Sequence, residues 1–297
     1  MKKKCCFKNI VMNFKAIKKC FLYCISIAFS FFTLYAMIFK IEWLVNMIWY
    51  FKILLFLGVL IILFLLSLLI VFFRRKQKIC KTPNGSLMAM YGDIFKIGFE
   101  NDNKKKCVVI PFNTTFDVIV DDSIGKINKP LISVNTLHGQ WIKKMIDLGE
   151  SEDTLSRQIF ESLDNQEIKP LKTFSFSDKK RGNLNAYDIG TIAMVEKNNT
   201  TFFLAAISEF DDQNVSQSNR DLIIKAVNSI LNIYDHKSQG HPLFIPLIGA
   251  GRSRSGIDYK ESFQIIKNYC MLHNEKITGD ISIVIYPKNK DEVSIFD

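Results

Sequence analysis

The residues best suited to chemistry lie in Pro246-Leu247-Ile248-Gly249-Ala250-Gly251-Arg252-Ser253-Arg254-Ser255-Gly256. This stretch follows an apolar run, Leu243 to Ile245, and precedes a helical pattern that begins near Asp258. Three glycines and no large apolar side chain after Ile248 let the backbone turn tightly and present its N–H groups near the positive end of a helix, which suits a phosphate. Arg252, Ser253 and Arg254 would add charge-assisted donors. Two commoner glycine motifs fail on spacing. A P-loop needs Lys after its last glycine, but Ile257 follows Gly256; a dinucleotide fingerprint needs a third glycine where Arg254 stands. ATP hydrolysis and hydride transfer lose their main support, and a bound phosphate or pyrophosphate remains.

Other groups suited to acid–base work are Asp117, Asp121, Asp122 and His138. Spacing selects none of them as a general base, so no catalytic residue is assigned. Each carboxylate reads first as a solvated loop residue, and His138 reads equally as a side chain packed against a sheet. His236, His241 and His273 lack metal-ligand spacing. The seven cysteines are odd in number and scattered, with no C-x-x-C pair, so neither a zinc site nor a disulfide framework is expected and a reducing compartment is the simpler reading. No metal and no cofactor are expected.

The elements that position these groups alternate in type. Apolar, β-branched runs predict strands at 87–91, 107–111, 191–195, 202–207, 243–246 and 281–286. Helical spacing appears at Leu155, Ile159 and Leu163, from Leu222 to Tyr234 behind a Ser218/Asp221 cap, and from Phe263 to Cys270 behind Asp258 and Glu261. Strands separated by helices predict an α/β sheet with helices on both faces, and ligands then sit at the carboxyl ends of strands. Ser177 to Asn183, rich in charge, reads as an exposed loop.

The N-terminal quarter is of another kind. Thirteen of the 39 Lys and Arg residues, but one of the 29 acids, fall in residues 1–79, leaving residues 80–297 with 26 basic and 28 acidic side chains, a net charge of −2. The basic character therefore belongs to a membrane flank and not to a nucleic-acid-binding face. Two uncharged runs, about 20–39 and 53–73, are each long enough to cross about 30 Å of hydrocarbon as a helix. No small-x-small cleavage site follows the first, which argues against a removed signal peptide. Lysines before the first run, and Arg74, Arg75, Lys76 and Lys78 after the second, place both ends of this hairpin in the cytoplasm. The chain thus reads as a basic N-terminus (1–19), two transmembrane helices (20–73), a polar linker (74–85) broken by Pro83 and Gly85, and a ligand-binding domain (86–297).

Over residues 86–288 this domain resembles a macro domain. The likeness rests on Gly92-Asp93-Ile94, on the strand from Cys107 running into the Asn113 loop, on Gly190-Thr191-Ile192-Ala193, and on the glycine loop before the last long helix. It implies a macro-domain-like mixed sheet flanked by helices, with ADP-ribose or a derivative as the ligand. Asp93 and Ile94 would then face the adenine. Asn113, Thr114, Phe116 and Asp117 would line the first loop, and Gly249, Ala250, Gly251, Arg252, Ser253 and Arg254 would hold the diphosphate and distal ribose. The common hydrolytic macro domains carry V-N-A-A-N and a glycine run; here Ile110 to Asp117 reads I-P-F-N-T-T-F-D and the glycine run is missing. That departure favours sensing over cleavage.

The subgroup most resembled is the macro domain behind two membrane helices in ThsA-type effectors of type II Thoeris antiphage systems. The shared motifs are N-[ST]-x-F-D at Asn113 to Asp117, S-x-x-x-x-H-G at Ser133 to Gly139, and I-P-L-I-G-A-G-R-S-R. The resemblance implies a signal made from NAD by a TIR-domain enzyme, in the form of an ADP-ribose conjugate such as histidine-ADP-ribose. It further implies a homo-oligomer on activation, and damage to the bacterial inner membrane. The alternatives are a membrane-bound ADP-ribosyl hydrolase and a passive ADP-ribose reader.

Overall fold

The computed structural model describes residues 9–39, 46–121, 131–210, 216–217, 219–250 and 256–297. The chain divides between Arg75 and Lys76 into two units.

The first unit contains α1 (Phe14–Ile38) and α2 (Trp49–Phe73), each of 25 residues and about 37 Å long at the usual helical rise. Their most apolar windows have mean hydropathies of 2.0 and 3.4, and both helices are long and apolar enough to cross a membrane. They start earlier than the uncharged runs, taking in Lys15, Lys18, Lys19 and Lys52. Ser26, Ser30, Thr33 and Ser67 each donate a hydroxyl to the carbonyl four residues back, at 2.7–3.0 Å. These side chains thus need no water, which suits an apolar solvent. The two helices touch through Phe21 and Phe64, whose rings meet edge-on at 5.6 Å.

The second unit is built on one mixed sheet. Its strands are β1 (Lys76–Lys81), β2 (Ser86–Tyr91), β3 (Lys106–Asn113), β4 (Ile192–Lys197), β5 (Thr200–Phe210), β6 (Ser216–Gln217), β7 (Leu243–Pro246) and β8 (Ile281–Ile285). The order is β1-β2-β8-β7-β3-β5-β6, with β4 also paired to β5. The five strands β2, β8, β7, β3 and β5 run parallel to their neighbours, whereas β1, β4 and β6 are antiparallel additions. The six predicted strands are all present.

Strand alternation sends side chains to two faces. On one face Val108, Ile110, Phe112, Phe202, Leu204, Ala206 and Val284 join Trp141, Ile142 and Met145 of α4 (Leu137–Asp147) and Leu155, Ile159 and Leu163 of α5 (Glu152–Asp164) in one buried cluster. The alternate residues, among them Val109, Phe203, Ile245 and Ile283, are buried opposite, as are the apolar stripes of α6 (Arg220–Lys237) and α7 (Tyr259–Leu272). A sheet covered on both faces explains why β3 is buried along nearly its whole length. The cap of α6 is Asn219, which accepts from Leu222 N at 2.9 Å, one residue after the predicted Ser218.

The stretch read as a linker, 74–85, is different in the structure. Residues Lys76–Lys81 form β1, in register with β2 from Lys76 opposite Met90 to Lys81 opposite Ser86. An edge strand buries little, and β1 leaves its lysines exposed, so no apolar alternation announces it. The unit therefore starts at Lys76.

Candidate functional site

Because the central strands share a direction, their carboxyl ends share one edge of the sheet, where α/β folds place ligands. Gly92 and Asp93 leave β2 there, Leu247 to Gly249 leave β7, and Thr114 to Asp117 leave β3.

At the end of β2, Gly92 N donates to Ile285 O at 3.0 Å, tying the turn to β8. Asp93 Oδ1 then accepts from Phe95 N at 2.9 Å and Lys96 N at 3.4 Å, capping the short helix α3 (Ile94–Gly98). Asp93 is half-buried and Ile94 is buried. The cap engages Oδ1, so among the described residues Oδ2 remains as an acceptor at the sheet edge.

After β7, Leu247 and Ile248 are buried, and Ser262 of α7 donates its hydroxyl to Ile248 O at 2.6 Å. Gly249 has a φ of 78°, in the left-handed region that glycine enters without cost. Ala250 is half-buried. Asp258 caps α7 by accepting from Glu261 N at 2.7 Å. Gly251, Arg252, Ser253 and Arg254, and the candidate base Asp122, lie outside the described residues.

The loop after β3 turns its side chains inward. Asn113, Thr114, Phe116 and Asp117 are all buried, Phe116 and Asp117 completely. Asp117 Oδ2 accepts from Asn113 Nδ2 at 2.8 Å, Thr115 Oγ1 at 2.6 Å and Lys179 Nζ at 2.8 Å. Its Oδ1 accepts from Asn183 N at 2.6 Å and Lys179 Nζ at 3.0 Å. Nearby, Asp121 accepts from Leu131 N at 2.6 Å and from both terminal nitrogens of Arg181, at 2.7 and 3.2 Å. The Arg181 hydrogen bond holds the Asp121 carboxyl below the usual carboxylate range. Neither acid is the solvated loop residue that the sequence suggests, and the lone pairs that a general base needs are engaged.

Their partners come from a segment read as an exposed loop. Ser177, Asp178, Lys180 and Arg181 are exposed, but Lys179 and Asn183 turn inward. Besides Asp117, Lys179 Nζ donates to Thr115 Oγ1 at 2.9 Å and to Asn183 O at 2.7 Å. Asn183 Nδ2 donates to Thr115 O at 3.1 Å and Phe116 O at 2.7 Å. Gly182, with φ at 78°, has no room for a side chain: a Cβ there would run into Asp117 Oδ1 and Leu131. Sequence reasoning missed Lys179, Arg181 and Asn183 because their partners lie 60 or more residues earlier and a local charge run looks solvated.

The S-x-x-x-x-H-G motif also resolves into local physics. Thr136 Oγ1 accepts from Gly139 N at 3.0 Å to cap α4, and donates to Ser133 O at 2.7 Å. A Cβ on Gly139 would strike the Ser133 carbonyl. His138 packs its ring on Phe112, and its Nε2 donates to Asp117 O at 2.9 Å. Burial lowers its pKa to about 3, so it stays neutral as the Nε2–H tautomer. Burial also pushes the Cys107 and Cys270 thiols up to about 12, which leaves both protonated and unreactive. Among the described residues no three His, Cys, Asp or Glu side chains converge as a metal would require.

Residues 88–286 match the family described as Thoeris protein ThsA, Macro domain. Thoeris protein ThsA of Bacillus amyloliquefaciens (strain Y2) is 26% identical over 215 residues, covering 69% of this chain and 64% of that protein. The chain thus spans less than two thirds of that relative's length. Among solved structures, a mutant of the Oceanobacillus iheyensis macrodomain has a TM-score of 0.45 at 12% identity, covering 75% of this chain and 94% of that one. The same macrodomain with ADP has a TM-score of 0.44 at 12% identity, covering 74% and 92%. With a mixed sheet flanked by helices and two apolar helices before it, this chain belongs to the macro-domain family of Thoeris protein ThsA.

Proposed function

We propose that this protein is a membrane-anchored effector of antiphage defence whose macro unit senses an ADP-ribose derivative. The reading rests on one observation above all: the Asp93 turn, the Asn113 loop and the Gly249 loop leave parallel strands at the same sheet edge. Asp93 Oδ2 and Ile94 receive the adenine. The amides after Gly249, with Arg252, Ser253 and Arg254, hold the diphosphate and distal ribose. The buried Asn113–Asp117 loop serves as a wall.

The signal is an amino-acid conjugate such as histidine-ADP-ribose, supplied by a TIR-domain enzyme as a diffusible product. α1 and α2 cross the bacterial cell membrane as a hairpin with both chain termini in the cytoplasm. The ligand favours self-association of the chain by binding the associated form more tightly, since only differential affinity shifts such an equilibrium. Clustered hairpins then disrupt the bilayer. The protein acts as a sensor and not as a hydrolase: Asp117 and Asp121 are committed to Lys179 and Arg181, and His138 is neutral.

Calorimetric titration of the full chain in detergent with ADP-ribose, its histidine conjugate and cyclic ADP-ribose isomers tests the site. Binding of the conjugate is expected, with loss in an Asp93→Ala, Gly249→Val double variant; equal affinity in that variant rejects the site. Ligand-dependent dye release from vesicles carrying the full chain tests the effector step, and turnover of the ligand would favour the hydrolase instead.

A further inference from the structure

Two ion pairs and a set of hydrogen bonds join residues 175–183 to residues 113–121. Three residues of the later segment carry them. Lys179 reaches Asp117, Arg181 reaches Asp121, and Asn183 reaches back to Thr115 and Phe116. Gly182, between the last two, lets the backbone pass against Asp117 where no side chain fits.

What this strap holds is a strained loop. Phe116 has a φ of 48°, a left-handed value costly for an aromatic residue, and such strain persists only where surrounding contacts over-determine it. Those contacts are visible on both sides. Phe116 N donates to Asn113 O at 3.1 Å, and Asn183 Nδ2 bonds the carbonyls of Thr115 and Phe116. The Asp117 side chain is wholly buried, and the Lys179 ammonium and the Asn183 amide supply hydrogen bonds to its oxygens that water cannot. Without the strap, the loop would lose its main charge partner and the bonds that fix its carbonyls.

We infer that the strap Ser175–Asn183 is the positioning element of the binding edge: Lys179 and Asn183 hold the Asn113–Asp117 loop in the one conformation that forms a ligand wall. This rests on the sensor reading for its consequence in ligand affinity, but not for its structural part. Lys179 and Asn183 act through the loop and are positioning residues.

The test uses the full chain in detergent micelles, with two readouts. The first is amide hydrogen exchange without ligand, at Thr114, Phe116 and Asp117, whose N–H groups bond Ser208 O, Asn113 O and Asn113 Oδ1. The second is calorimetric affinity for ADP-ribose. Lys179→Met and Asn183→Ala are expected to speed exchange at these amides while β7 and β8 stay protected, and to weaken ADP-ribose by about tenfold or more. Lys179→Arg, which keeps the charge, is expected to restore much of both. Should Lys179→Met fail to fold, Asn183→Ala carries the test, because it keeps the ion pair and removes only the carbonyl bonds. Unchanged exchange at the three amides overturns the inference, as does faster exchange with full ADP-ribose affinity. Faster exchange in a protein whose wild type binds neither ADP-ribose nor its histidine conjugate upholds the positioning role and rejects the sensor reading instead.

Discussion

His138 donates its Nε2 proton to the backbone carbonyl of Asp117 across 2.9 Å, from a ring packed on Phe112. The bond ties the first turn of α4 to the loop after β3 and needs only the neutral ring. With a folded pKa of about 3 against an ordinary 6.5, the unfolded chain binds the extra proton, so stability falls as pH drops from 6.5 towards 3, by about 1.4 kcal/mol per unit once well inside that window. Asp121, whose carboxyl is also held low, contributes only below its ordinary value of 3.8, so a comparison of pH 7 with pH 5 isolates the histidine. Urea unfolding should show a smaller loss over that range in His138→Gln, whose amide still donates, than in the wild type.

The Lys179–Asp117 pair joins a carboxylate with no exposure to an ammonium with little. Removing one partner of such a pair strands a buried charge and costs about 3–5 kcal/mol. Lys179→Met and Asp117→Asn should each show a large drop in urea midpoint. The double variant should be less damaged than the two losses combined, and strict additivity would show that the pair is not coupled.

Two glycines with positive φ should respond differently to alanine. Gly149, φ 91°, has open space around its missing Cβ, so Gly149→Ala pays only backbone strain, about 1 kcal/mol. Gly182, φ 78°, adds a clash with Asp117 and Leu131, and Gly182→Ala should cost about 2–4 kcal/mol. Thermal melts of the two variants rank them directly.

Asp93 caps α3, and the proposed site gives it the adenine as well; one substitution separates the two. Asparagine caps helices as well as aspartate, so Asp93→Asn should change stability by less than about 0.5 kcal/mol. It replaces the second acceptor with a donor, which faces the adenine amine unfavourably, and ADP-ribose affinity should fall about tenfold. Retained affinity would remove Asp93 from the ligand site.

The start of the sheet at Lys76 makes a prediction about fragments. A chain begun at residue 76 keeps β1 and should melt cooperatively without detergent. One begun at residue 86 exposes β2 as a bare edge and should melt lower or aggregate.

The strands were readable because β3, β5, β7 and β8 are buried runs rich in Val, Ile and Phe, and burial on two faces demands that composition. β1 was not, because Lys-Gln-Lys-Ile-Cys-Lys pairs through its backbone at an exposed edge. α4 was hidden under the motif Ser133–Gly139, although Trp141, Ile142 and Met145 already have helical spacing. At the edge, Asp93 and Gly249 were legible as turn residues with local roles. The inward course of Asn113 to Asp117 was not, since it depends on the Lys179 cation and the Asn183 amide, and no local period records a contact across more than 60 residues.

The antiparallel register of β1 brings the chain from α2 into the sheet at the same edge as the Asp93 turn. Lys76 sits opposite Met90, three residues before Asp93, and only Arg74 and Arg75 separate it from the last residue of α2. Were the Asp93 turn to shift on binding a nucleotide, the shift would have to pass back along the end of β2 to Met90 and then cross one strand spacing, about 4.8 Å, before it met the covalent chain that leads to the apolar helices. Had β1 been parallel to β2, the same chain would have left from the opposite edge, and the displacement would have had to travel the full height of the sheet.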